Sequence, residues 1–83
     1  MTVQVRLPGE AWAGVEAGTE ALLERWLVTQ GAHVHQGQPI AEIVLVKTNM
    51  QVEAPSDGVL SRILVAQEAT FGPDQALGEI TPD

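Results

Sequence analysis

The feature that most constrains this chain is that it repeats itself. Shifted by 37 positions, LLERWLVTQGAHVHQGQPIAEI (residues 22–43) lies over VLSRILVAQEATFGPDQALGEI (residues 59–80) without a gap. Identical residues fall at Leu23/Leu60, Arg25/Arg62, Leu27/Leu64, Val28/Val65, Gln30/Gln67, Ala32/Ala69, Gln38/Gln75, Glu42/Glu79 and Ile43/Ile80. A second match joins at a different offset: VQVRLP (residues 3–8) resembles MQVEAP (residues 50–55), with Gln4/Gln51, Val5/Val52 and Pro8/Pro55 identical. Two copies of one unit imply a pseudo-two-fold fold, in which each half must bury its apolar side against the other.

Each copy reads as short strands. Valine and isoleucine are frequent and turn residues recur at short spacing. No long segment places apolar residues at the helical period, so the expected class is an all-β sandwich or barrel spanning residues 1–83 as one domain. The run EALLERWLV has helical propensity, but its repeat partner GVLSRILVA follows Asp57-Gly58, a turn signal, and is rich in β-formers, so both are read as strands. Pro8 and Pro55 are placed at strand ends, where a ladder hydrogen bond must stop. The copies differ between Pro8 and Leu22, where the first carries a loop about ten residues longer than the SDG connection after Pro55. Trp12 lies in that loop, as a lid over the barrel mouth or as a docking residue.

The composition excludes several functions. At 83 residues the core is small, and with no cysteine there is no disulfide, thiolate chemistry or cysteine metal site. A formal charge of −7 with four scattered basic residues excludes nucleic acid and anionic membrane as partners, while an acidic surface suits a basic docking face. The first residues lack a signal-peptide pattern, and no run is long enough to span a bilayer, so a soluble, cytoplasmic protein is expected. His33 and His35 would share one strand face, but no third ligand is evident, so no metal is expected. The serines and carboxylates form no nucleophile motif and no glycine-rich phosphate cradle appears, so the chain is not expected to be a catalyst.

Lys47 is the only lysine; the other basic residues are Arg6, Arg25 and Arg62. It lies between runs 40–46 and 49–54, which can pair as an antiparallel hairpin with Lys47 at or beside its tip and Thr48-Asn49 as turn-tolerant residues. The offset of 37 carries Lys47 just past the last residue, so the tip should occupy the place that the chain terminus occupies in the second copy, at the opposite pole. The long loop after Pro8 should lie on the lysine's half. A sole amine at a loop tip is what single-site acylation requires.

From VRLP through RWLVTQGAHVHQGQPIAEI, VKTNMQVEAPSDGVLSRILV and GPDQALGEI, the chain resembles the lipoyl/biotinyl carrier domains, most nearly the lipoyl domains of 2-oxo-acid dehydrogenase complexes. The resemblance implies a flattened barrel of two four-stranded antiparallel sheets with internal two-fold symmetry. It also implies turns at Gly31, Gly37, Pro39, Pro55 and Gly58, and a cofactor in amide linkage to Lys47. Lipoate is the group favoured, with biotin as the alternative. The family's usual acidic residues before the lysine are replaced by Val44 and Val46, whereas Glu42 matches. Glu42, Val46, Thr48, Asn49 and Trp12 are the candidate contacts for a modifying enzyme or partner. The partners implied are a lipoate ligase or lipoyl transferase, a thiamine-dependent decarboxylase, an acyltransferase and dihydrolipoamide dehydrogenase. An unmodified barrel serving as a protein-binding module is the remaining reading.

Overall fold

A computed structural model describes residues 1–83. The chain forms eight strands: β1 (Val3–Val5), β2 (Ala21–Trp26), β3 (His33–Val34), β4 (Pro39–Leu45), β5 (Thr48–Glu53), β6 (Gly58–Ile63), β7 (Thr70–Phe71) and β8 (Gly78–Pro82). One 3₁₀ turn, Gly9–Trp12, follows Pro8. The strands make two antiparallel four-stranded sheets, ordered β1-β8-β6-β3 and β5-β4-β2-β7. No helix is long and apolar enough to cross a membrane.

The two strand orders are the repeat made visible. The offset of 37 carries β2, β3 and β4 onto β6, β7 and β8, and the shorter match carries β1 onto β5, so each sheet is the other's mate. Each sheet therefore contains strands from both halves of the chain. The core obeys the same rule: Leu23 and Leu60, Ile43 and Ile80, Val34 and Phe71, Ile40 and Leu77, Val5 and Val52 are all buried mates. Burying each such side chain contributes about 1.5–3 kcal/mol against the entropy of ordering the chain.

The repeated polar residues hold the turns and bulges. In β2 the register slips between Leu23 and Arg25, and in β6 between Leu60 and Arg62, so that Arg25 lies opposite Glu42 and Arg62 opposite Glu79. An extra residue at the same place in both copies is what turns two arginine–glutamate matches in the sequence into two cross-strand pairs. Gln38 Oε1 accepts from the His35 amide at 2.9 Å, and its mate Gln75 accepts from the Gly72 amide at 3.4 Å. Gly31 and its mate Glu68 both have left-handed backbone, φ 96° and 73°, and their amides donate to Leu60 and Leu23 respectively, each at 2.7 Å.

Among the turn residues picked out in the sequence, Gly37 (φ 85°) shares the left-handed conformation of Gly31. Pro39 opens β4, and Pro55 follows the end of β5. Gly58 begins β6 where a side chain would run into the Thr81 carbonyl of β8. One pin was not apparent in the sequence: Trp26 Nε1 donates to the Val65 carbonyl at 2.9 Å, tying β2 to the segment after β6.

Candidate functional site

The β4–β5 hairpin is paired up to Leu45↔Thr48, which leaves Val46 and Lys47 as a two-residue turn. Lys47 is at the tip as expected, but the expectation that Val46 ends the first run while Thr48-Asn49 supply the turn is corrected: Val46 lies in the turn, Thr48 opens β5, and Asn49 lies opposite Val44. Positive φ occurs at Val46 (61°) and does not extend to Lys47, the pattern of a turn whose first central residue is left-handed. Val46, Lys47, Thr48 and Asn49 are all exposed.

Lys47 has no hydrogen bond and no ion pair, and this separates it from the other cations. Arg6 donates to the Asp74 carbonyl at 2.6 Å and to Gln4 Oε1 at 2.6 and 3.1 Å. Arg25 is held by the Glu42 carboxylate, and Arg62 lies 3.9 Å from Glu79. Among the side-chain cations the lysine amine alone is unengaged.

Beneath the tip the sheet is anchored. Continuing the register across the β5-β4-β2-β7 sheet from Leu45 gives Ala21 and then Phe71, all three buried and facing the core. Trp12 stands edge-on to Phe71, with ring centroids 6.1 Å apart and planes at 81°. The inserted loop is thus at the lysine end of the β5-β4-β2-β7 sheet, as the repeat led one to expect, and Trp12 closes the core there as a lid. The tip corresponds under the pseudo-two-fold to the gap between β8 and β1, where the chain's ends lie.

Glu42 lies three residues back from Leu45, about 10 Å along the strand. The hydrogen bond from Arg25, and then its charge, hold the Glu42 carboxyl below its ordinary value, while partial burial works against them. The same contact pushes the Arg25 guanidinium further up. Because the Arg62–Glu79 pair repeats this arrangement on the sheet without a hairpin tip, its first role is to staple neighbouring strands.

The surface has two open depressions. One of about 430 Å³ is lined by Glu24, Glu42, Asn49, Met50 and Gln51. The other, about 300 Å³, runs between Arg6 and Pro8 on one side and residues 51–55 on the other. Neither includes Lys47, nor any serine or histidine to serve as nucleophile or base. His33 and His35 stack edge to face at 5.2 Å and face carboxylates, with His33 Nε2 2.9 Å from Asp83 and His35 Nδ1 4.0 Å from Asp57. No group of three or more His, Cys, Asp or Glu side chains is arranged to hold a metal ion.

A symmetric two-sheet barrel presenting one unpaired amine on a tight hairpin is the arrangement that the resemblance to carrier domains implies. Comparison with known proteins gives the same answer: the biotin/lipoyl family, described as biotin-requiring enzyme, matches residues 4–80, and the chain belongs to that family. It is similar to the dihydrolipoyllysine-residue acetyltransferase component of the pyruvate dehydrogenase complex of Rickettsia felis, 41% identical over 59 residues, covering 71% of this chain and 14% of that protein. It is similar to the pyruvate dehydrogenase E1 component subunit beta of Rhizobium meliloti, 36% identical over 66 residues, 80% of this chain and 14% of that one. The third is the dihydrolipoyllysine-residue succinyltransferase component of the 2-oxoglutarate dehydrogenase complex of Rickettsia felis, 29% identical over 80 residues, 96% of this chain and 19% of that protein. The chain therefore spans less than a fifth of the length of these relatives.

Proposed function

We propose that this domain carries a lipoyl group in amide linkage to Lys47 and passes acyl groups between the active sites of a 2-oxo-acid dehydrogenase-type complex. The observation that carries the reading is the amine itself, the one side-chain cation without a partner, on a two-residue tip. An exposed primary amine fits covalent attachment, because no ion pair has to break before it is acylated. Two of the relatives named above are dihydrolipoyllysine-residue acyltransferases, which favours lipoate. The family description names biotin, and biotin is the second reading.

The domain is a substrate and tether in this role. A lipoate ligase or lipoyl transferase presents an activated acyl carbonyl. The neutral amine attacks it, forming the C–N bond, expelling the activating group and releasing a proton. Since a lysine amine is protonated in neutral water, the enzyme must take up its proton, which desolvating the amine favours. Amide formation removes the only unpaired side-chain cation and leaves the domain one unit more negative than −7. Once bound, the dithiolane supplies the redox and acyl-carrying chemistry. The chain's own contribution is to hold the attachment point clear of both sheets and to raise the local concentration of the arm at each partner.

The partners we assign are the modifying enzyme, a thiamine-dependent decarboxylase, an acyltransferase and dihydrolipoamide dehydrogenase, which together use such an arm. Val46, Thr48 and Asn49 form the surface they meet at the tip, bordered by Trp12 at the same end of the sheet and Glu42 on its outer face.

The test is a direct competition. The purified domain is incubated with ATP and either a lipoate ligase with lipoate or a biotin ligase with biotin, and its intact mass is read. A lipoyl increment that disappears in Lys47→Arg supports the reading. A biotinyl increment in its place selects biotin, and labelling that persists in Lys47→Arg rejects the site.

A further inference from the structure

Two residues other than glycine have positive φ, and only one of them is explained by the fold. Glu68 at 73° occupies the turn position that Gly31 occupies in the other copy, with the same amide hydrogen bond. Val46 at 61° has no such mate, because the offset of 37 carries it onto Asp83 at the end of the chain. In the left-handed region a Cβ crowds the following carbonyl oxygen, and a β-branched residue there is an outlier. Glycine and asparagine are the residues that such a turn position favours.

Burial does not compensate for this at Val46. Val46 is 65% exposed and belongs neither to the core nor to the partly buried residues packed on it. For folding alone, valine is a poor choice at this position. Backbone outliers of this kind cluster where function over-determines them, and this one is covalently adjacent to the amine. The segment from Ile43 to Met50 also contains no charge except Lys47 itself. An enzyme that must enclose and desolvate the amine therefore meets an isopropyl group immediately beside it, with no carboxylate on that stretch to be desolvated as well.

Resting on the carrier function above, we propose that Val46 is the specificity-determining residue for acylation of Lys47. Its isopropyl group enters an apolar pocket of the acylating enzyme as the amine enters the active site. The left-handed turn holds that group beside the lysine stem, so the two are presented together.

The experiment measures steady-state acylation by a lipoate ligase with ATP and lipoate at varied domain concentration, read by intact mass, alongside thermal melting of each variant. Val46→Asn suits the left-handed backbone and removes the apolar group, whereas Val46→Ile keeps a branched apolar side chain. Val46→Asn is expected to melt higher than the wild type while its KM as a substrate rises at least about tenfold, with kcat within about twofold. Val46→Ile is expected to keep the wild-type KM within about twofold. An unchanged KM in Val46→Asn overturns the proposal, as does a loss confined to kcat, which would report turn geometry in place of recognition. If the wild type is not acylated at all, the carrier function and this inference fall together. If it is acylated and Val46→Asn matches it, only the inference falls.

Discussion

Gly31 and Glu68 allow a sharp test of the repeat, because one backbone position is filled by a glycine in the first copy and a glutamate in the second. Both have positive φ, and both amides reach a strand carbonyl at 2.7 Å, so the turn requires the left-handed conformation in each half. A Cβ built on Gly31 would meet nothing within 4 Å, so Gly31→Ala introduces no clash and isolates the backbone effect. Holding an L-residue there costs about 1–2 kcal/mol. Alanine returns about 0.4–1 kcal/mol by restricting the unfolded chain. The net loss is about 1 kcal/mol, which for a domain of this size lowers Tm by about 4–8 °C.

The reciprocal change, Glu68→Gly, removes the same penalty and incurs the same entropy. Because the Glu68 side chain is exposed, no packing is lost. A gain of about 0.5–1 kcal/mol is expected, raising Tm by a few degrees. Thermal and urea unfolding, followed by tryptophan fluorescence and far-ultraviolet circular dichroism, measure both. The two variants must move in opposite directions. A neutral or stabilising Gly31→Ala, or a destabilising Glu68→Gly, would refute the reasoning that the two turns are backbone equivalents.

Gly58→Ala should be far more damaging, because its Cβ falls inside van der Waals contact of the Thr81 carbonyl and 2.9 Å from Ile80 Cγ2. A loss of about 3 kcal/mol is expected, seen as a Tm lowered by more than about 10 °C. Trp12→Ala uncovers Phe71 and should cost about 2 kcal/mol of stability in urea unfolding, a partial burial being lost. The folded-state pKa of Glu42 is depressed by Arg25, so the pair's contribution is present above the ordinary glutamate value of 4.5 and is lost as pH falls through the lower folded value. Melting of wild type and Glu42→Gln compared from pH 7 to pH 3 should show a gap at neutral pH that closes on the acid side; a gap that widens with acid would contradict the sign.

Much of the architecture was legible because duplication wrote it twice. The strand assignment of the segment around Leu22 to Trp26 follows from its repeat partner, where Asp57-Gly58 marks a strand start that the first copy's helical propensity hides. The repeat likewise foretold the pseudo-two-fold, the resemblance supplied the two four-stranded sheets, and the correspondence of the loop after Pro8 with the tight turn after Pro55 put that loop on the lysine's half. The hairpin's register was less accessible. Thr48 and Asn49 have turn chemistry and Val46 has none, but register is fixed by pairing along the whole of β4 and β5, and it moves the turn onto Val46 and Lys47. The bulges that align Arg25 with Glu42 and Arg62 with Glu79 were visible only as unexplained identities, since an extra strand residue leaves no mark in composition. Trp26 carries no signal of its own, because its hydrogen bond goes to the Val65 carbonyl, 39 residues away.

The most direct measurement is site-resolved mass spectrometry of the protein isolated from its own host. A proteolytic fragment spanning Lys47 should carry a lipoyl amide on that residue. Finding Lys47 unmodified in cells whose other lipoyl proteins are modified would contradict the carrier account.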